Sequence, residues 1–278
     1  MVATDAPAAS PPAGDERRAG SRRLVVAWQH PQERGISPIG ILTYESGIYE
    51  FSYIRHAREV ADFRPLLGFP DMNERYGSEQ LFPLFAQRAM DPRRPDYARH
   101  VHRLGLEEDT SPWEQITRSG GRREGDTLQF LPVPARTHGR LTALFLSHGV
   151  RYMVDQTQQV GERSVRLAKE DLEEALAGLS PGQPLQLVPQ PTNPTNARAI
   201  LLTTQQSVPV GYVPDLMVED LHRLLAIAPV AVEVEAVNGL DAPWHLRLLC
   251  RLTAVEDDGF MFFTGPEWES LAAPPVSS

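Results

Sequence analysis

The segment that most constrains this chain is residues 181–214, PGQPLQLVPQPTNPTNARAILLTTQQSVPVGYVP. It holds two short apolar stretches on either side of a turn with little conformational freedom. Leu185 and Leu187, then Ala199 and Ile200, are spaced for β-pairing against a core. Between them lie Gln190, Pro191, Thr192, Asn193, Pro194, Thr195 and Asn196. Pro191 and Pro194 each fix φ and remove a backbone donor, while Asn193 and Asn196 supply amides that can bond the turn backbone. Gly211, Tyr212, Val213 and Pro214 end a further strand, and a helix is expected from Asp215. Strand packing alone does not require these turn residues, so the turn is a candidate for a built site.

Composition bounds what such a site can serve. With 278 residues the chain can bury two modest cores. No apolar run reaches the length that spans a bilayer, and the first residues carry acids without an apolar stretch, so neither a membrane partner nor a secretory signal is expected. A cytoplasmic location is the default. The single cysteine, Cys250, has no partner for an internal disulfide and lies in an apolar run, which makes it a core residue. The net charge of −9 is unevenly placed. Residues 1–140 balance 19 arginines against 19 acids, whereas residues 141–256 hold 8 basic and 13 acidic side chains. Phosphate neutralisation dominates non-specific nucleic-acid affinity, so an acidic second half argues against a general DNA-coating role. A small pocket for one strand end remains compatible with that charge.

Along the chain, residues 1–22 are rich in Ala, Pro, Gly, Ser and Arg and read as a disordered arm. Strands are expected at residues 24–28, 36–44 and 48–53, the last two joined by Glu45, Ser46 and Gly47 as a hairpin turn. Helices are expected at residues 78–87 with Ser78 as the cap, at 96–104 with Tyr97, Val101 and Leu104 inward, and at 111–119, where Ser111 precedes a proline. In the second half, helices are expected at residues 169–179 and 215–225, with Asp215 as a candidate cap. Val230, Val232 and Val234 alternate with Ala231, Glu233 and Glu235 as in a half-buried strand, and residues 246–252 form its hairpin partner. The last twenty residues carry Phe260, Phe262, Phe263 and Trp268, which should pack back onto a domain before the chain frays.

Gly182, Leu185, Leu187, Pro191, Asn193, Pro194, Asn196, Ala199, Ile200 and Val210 to Pro214 follow the order of conserved positions in the HIRAN domain, and Gly149, Val150, Arg151 and Tyr152 fit its first strand. The chain from near residue 141 to near residue 255 therefore resembles that family, a small β-barrel found in Swi/Snf-type helicases and in stand-alone bacterial proteins. The N-terminal block resembles the N-terminal subdomain of HipA-type kinases. The carriers there are Gly40 to Leu42, Tyr49 to Tyr53, Phe69 and Pro70, Leu81 to Phe85, Arg94 to Tyr97, Leu104 to Leu106, and Gly120 to Arg122 with Gly125 and Asp126. No room remains for a kinase core, and no catalytic-loop Asp with a following Asn occurs. The expected organisation is an arm (1–22), an α+β domain (23–135), a mainly-β small barrel of OB/SH3-like kind with one or two helices (141–256), and a tail (257–278).

The HIRAN resemblance implies capture of a 3′ single-strand DNA end by an Arg–Tyr pair, a Tyr–Asp pair in the proline turn, and an aromatic or histidine after the glycine of the last strand. Stacking on a base, a guanidinium on phosphate and a carboxylate on the terminal hydroxyl are the physical basis. Here Arg151 and Tyr152 match the first pair and Tyr212 the last position. Thr195 and Asn196 stand in place of the Tyr and the Asp, beside Asn193. The loss of a ring removes about 1–3 kcal/mol of stacking, and a neutral amide makes a weaker bond than a carboxylate. Asn196 can also serve simply to cap the turn, and Tyr212 can be a packing ring. The eight histidines lack metal-site spacing, so no metal or cofactor is expected. No nucleophile elbow or phosphate-cradling loop is present. The reading is a non-enzymatic adaptor that binds a single-stranded DNA end. Its alternative is a protein-interaction module whose residues 25–134 dock a partner such as a separate kinase core.

Overall fold

The computed structural model describes residues 22–123, 126–137, 139–255 and 259–273. The expected N-terminal arm (apart from Arg22), Gly125 and the ends of the expected tail lie outside the described residues. In chain order the first elements are β1 (Arg23–Gln29), β2 (Ile36–Glu45), β3 (Ile48–Tyr53), β4 (Tyr76–Ser78), α1 (Pro83–Ala86), α2 (Tyr97–Arg103), α3 (Pro112–Ser119) and β5 (Leu128–Pro132). The five strands pair antiparallel in the order β4-β3-β2-β1-β5. The β2–β3 turn holds Ser46 at φ 51° and Gly47 at φ 83°, the mirror-image turn that matches strand twist.

Both faces of this sheet are buried, because alternate residues serve two cores. Leu24, Val26, Leu42, Phe51, Tyr53, Leu128 and Phe130 pack with Phe85, Trp113 and Ile116 on one side. Val25, Ile41, Ile54 and Leu131 point the other way and join the core of the second half. Tyr53 is fully buried, yet both ends of its hydroxyl are satisfied: it accepts from Leu66 N–H at 2.6 Å and donates to Phe69 C=O at 2.9 Å. Burial pushes its pKa up to about 12.

The helices show where local signals compete. Ser111 and Glu114 form a reciprocal capping box that opens α3, with Pro112 at its first position. Tyr97, Val101 and Leu104 are all buried, as their spacing requires. The helix expected over residues 78–87 is shorter. Ser78 ends β4 and its hydroxyl accepts from Gln80 N–H in a turn, while Phe82 is held extended at φ −52°, ψ 137° before Pro83. A residue before proline is disfavoured in the helical region, so α1 starts only at the proline.

The second half comprises β6 (Ala135–Thr137), β7 (Arg140–Leu146), β8 (Thr157–Val160), β9 (Arg163–Arg166), α4 (Lys169–Ala177), β10 (Pro184–Pro189), β11 (Ile200–Thr203), β12 (Pro209–Tyr212), α5 (Asp215–Leu225), β13 (Val230–Val237) and β14 (Leu248–Val255). Seven strands run in the order β12-β11-β10-β13-β14-β7-β6, and β8 and β9 form a separate hairpin. His148, just past β7, pairs with Tyr212 of β12 through two backbone bonds of 2.9 Å each. That pair joins the two ends of the strand series β7 to β12 and closes it into a barrel, with β6 left as the outer strand beside β7. Met217, Val218, Leu221 and Leu224 of α5, with Leu172 and Leu176 of α4, fill the same core. Asp215 is the first residue of α5, and its side chain does not cap the helix; Pro214 occupies the cap position.

Residues 259–273 strap the two halves together. Phe262 and Phe263 are buried in the barrel core, and Phe263 N–H donates to Asp220 Oδ2 at 2.7 Å. Further on, Ser270 bridges Ile54 and Leu271 N–H donates to Tyr53 C=O at 2.9 Å. Side chains tie the halves elsewhere: Asn238 Nδ2 donates to Arg103 C=O at 2.8 Å, and Arg118 lies 3.8 Å from Glu235. Among the described residues no helix is long and apolar enough to cross a membrane.

Candidate nucleic-acid interface

The candidate site grows from the seam that closes the barrel. After β7 the chain reaches Gly149, whose φ of 70° ends the extended run. Residues 150–153 then form a single 3₁₀ turn, so Arg151 and Tyr152 sit on that turn and not on the strand expected from the sequence. In a 3₁₀ turn, residues three apart share a face. Val150 and Met153 accordingly insert into the core, 2% and 1% exposed, and throw Arg151 and Tyr152 outward. Tyr152 is 81% exposed. Arg151 is exposed too, and makes no ion pair or hydrogen bond with any described residue.

Tyr212 is held where Tyr152 is free. Its ring lies against Gly149, where an added Cβ would sit 2.9 Å from Tyr212 Cδ2. Its hydroxyl donates to Gln158 Oε1. Burial pushes the phenol pKa up, and the Asn193 side chain opposes that rise. Tyr212 therefore offers at most part of its ring, and its main contacts are with Gly149, Gln158 and Asn193.

The proline turn is organised by its asparagines. Asn193 Oδ1 accepts from Thr195 N–H at 2.9 Å and Asn196 N–H at 3.1 Å. Asn196 Oδ1 accepts from Arg198 N–H at 2.9 Å, and its Nδ2 donates to Asp215 Oδ1 at 3.1 Å. Thr195 is exposed at the tip. The turn thus approaches Tyr212 through Asn193 and α5 through Asn196.

Sequence reasoning missed the β8–β9 hairpin and the glutamines that clamp it. Gln158 receives the Tyr212 hydroxyl, and Gln190, only 4% exposed, donates through Nε2 to Gln159 C=O at 2.5 Å. The hairpin is polar on both faces, with only Val160 buried, so no apolar alternation marks it. Asp215 was read as a helix cap; its carboxylate instead receives Asn196.

Beside the seam a cleft opens between the two halves. Ile36, Leu131, Leu146 and Leu216 supply apolar walls, and Arg122, His148 and His245 line it as well. Burial, with the nearby Arg122 guanidinium adding to it, pushes both histidines down to about 4, so both are neutral at pH 7. Among the described residues no group of three His, Cys, Asp or Glu is arranged to hold a metal ion.

Residues 145–253 match the family model described as HIRAN domain. Two solved structures resemble the chain. One is a protein from Lactobacillus plantarum, 17% identical, covering 43% of this chain and 100% of its own, with a TM-score of 0.31. The other is the HIRAN domain of human HLTF, 14% identical, covering 43% of this chain and 81% of its own, with a TM-score of 0.28. No curated protein matches the sequence. The family match does not extend into the N-terminal block.

Proposed function

We propose that the HIRAN domain at residues 145–253 holds the end of a single-stranded nucleic acid, with a DNA 3′ end as the expected ligand, and that the chain acts as a non-catalytic adaptor. The observation that carries this reading is the pairing of an 81%-exposed Tyr152 with an unpartnered Arg151 on a turn whose other two residues are buried. A large ring left in water contributes little to folding and is ready to stack on a base, which is worth about 1–3 kcal/mol. A guanidinium without a carboxylate is ready for the paired hydrogen bonds of a phosphate. The turn is pre-ordered by Val150 and Met153, so binding need not freeze the backbone. Of the proline turn, Asn193 borders the same seam beside Tyr212, and it holds the backbone of Thr195 and Asn196. The neutral Asn196 has the Asp215 carboxylate within hydrogen-bond distance, and we assign Asp215 as an acceptor for a terminal sugar hydroxyl.

The alternative, in which residues 25–134 dock a protein partner such as a separate kinase core, has less support. Both faces of that sheet are already covered, one by its own helices and one by the barrel.

Fluorescence anisotropy with a labelled single-stranded oligonucleotide tests the proposal. Tyr152→Ala should weaken binding by about 1–3 kcal/mol, roughly five- to 150-fold, while double-stranded DNA of the same sequence binds poorly. Equal affinity of wild type and Tyr152→Ala would remove the basis for the site.

A further inference from the structure

The cleft between the two halves is lined by three polar side chains that the fold leaves without hydrogen-bond partners. Strand β5 alternates: Leu128 and Phe130 enter the N-terminal core, while Leu131 turns the other way and joins the barrel core. Gln129 shares the Leu131 side of the strand and lines the cleft. It is only 8% exposed, yet its carboxamide makes no hydrogen bond with any described residue. The rings of His148 and His245 line the same cleft, and no described residue hydrogen-bonds to either. Burial keeps both neutral at pH 7, so each presents one donor and one acceptor.

A buried amide without a partner costs folding free energy, and a native structure that keeps one does so for a reason. The other buried glutamines among the described residues are satisfied. Gln29 Nε2 donates to Arg34 C=O at 3.0 Å, Gln115 Oε1 accepts from Met90 N–H at 2.9 Å, and Gln190 Nε2 donates to Gln159 C=O. Gln129 alone is held open. The cleft around it is walled by Ile36, Leu131, Leu146 and Leu216, and leaves about 40 Å³ free to the centres of water-sized molecules. One water needs roughly 10–15 Å³ of such room, so the cleft suits a single flat ring better than two fused rings.

Three contacts put this cleft beside the proposed strand-end site. Asp215 lines it and accepts from Asn196 of the proline turn at 3.1 Å. His148 exchanges two backbone bonds of 2.9 Å with Tyr212. The 3₁₀ turn Trp244–Leu246, which carries His245, packs against the turn Val150–Met153, which carries Arg151 and Tyr152.

We infer that the cleft takes the base of the strand's terminal nucleotide and selects a pyrimidine, with Gln129 reading the edge of that base. This inference rests on the proposed strand-end site and adds to it a preference at the last position. With the terminal hydroxyl at Asp215, the terminal base lies one sugar away, in the cleft, and the base before it is left for Tyr152. The Gln129 amide sets a donor beside an acceptor, and both pyrimidines carry the matching pair on one edge. His148 and His245 can take whichever tautomer the remaining polar atoms require. Ile36, Gln129 and Leu131 lie outside the family match, so the preference belongs to this two-part chain and not to a HIRAN domain alone.

The test uses the full chain and single-stranded DNA probes that differ only in the 3′-terminal nucleotide: thymidine, deoxycytidine, deoxyadenosine, deoxyguanosine or an abasic residue. Anisotropy should show wild type binding the pyrimidine ends about fivefold or more tighter than the purine and abasic ends, the lower bound for a bidentate amide contact. Gln129→Leu should bind all the probes within about twofold of one another. Its thermal unfolding should match or exceed wild type, because the change removes an unpaired buried amide. His245→Phe, which keeps a ring and removes its hydrogen bonds, should also narrow the preference. Equal affinity of wild type for every end, with Tyr152→Ala still weakening them all, would overturn the inference and leave the strand-end site standing. A pyrimidine preference kept in full by both variants would overturn it as well. Failure of wild type to bind any probe would overturn both readings.

Discussion

The N-terminal sheet and the rim of the barrel treat rings and cations in opposite ways. In the sheet, Phe51, Phe69 and Phe85 meet each other edge-on or stacked at 4.7–5.4 Å, and Tyr53 has its hydroxyl tied at both ends. Arg88, whose side chain is 3% exposed, is paired with Asp126. At the rim, Tyr152 has no such enclosure and Arg151 no such partner. The same residue types therefore stabilise one region and are held ready in the other. Side chains that contribute nothing to folding, yet are fixed in position by neighbours that do, are the best indicator of binding here.

Substitutions can break this contrast. Arg88→Ala leaves Asp126 without its partner and should cost about 3 kcal/mol, read as a lower denaturation midpoint. Arg151→Ala and Tyr152→Ala should each stay within about 0.5 kcal/mol of wild type. Comparable losses at both places would mean that the rim residues are structural after all.

Much of the N-terminal sheet was legible because its signals are local. The hairpin at Ser46 and Gly47, the capping box at Ser111 and the spacing of Tyr97, Val101 and Leu104 need nothing from the rest of the chain. The alternation of Val230, Val232 and Val234 likewise marks a strand whose Val232 and Val234 are buried. Ser78 shows the limit: a good cap residue was overridden by Pro83, which sets where the helix can begin. The candidate site was legible in its turn and glycines but not in its geometry. The His148–Tyr212 pair joins positions 64 residues apart in sequence, and nothing local announces it. Arg151 and Tyr152 were expected on a strand, where one would face inward. The 3₁₀ turn puts both outward. Gln158 and Gln190 look like ordinary polar residues until the fold brings them together over the turn.

A smaller effect sharpens the comparison at the cleft where the two regions meet. His148 and His245 have folded pKa values near 4, depressed mainly by burial, against an unfolded value of 6.5. Between those values the unfolded chain binds more protons, so stability is fully present above pH 6.5 and declines as pH falls toward 4. The Arg122 guanidinium reinforces this direction at both, with His245 adding to it at His148 and His100 adding to it at His245. His245→Asn should flatten the decline of melting temperature over that window relative to wild type. An identical pH profile would show that protonation of His245 is not linked to holding the halves together.

The central claim is that the rim grips a strand at its end. Its most direct measurement is the anisotropy of two otherwise identical single-stranded DNA probes, one with a free 3′ hydroxyl and one with a 3′ phosphate, each titrated with wild type and Arg151→Ala. The account predicts tighter binding of the free end by wild type, because a phosphate would meet Asp215, and a marked loss for both probes in Arg151→Ala. Equal affinity for the two ends, unaffected by Arg151→Ala, would contradict it.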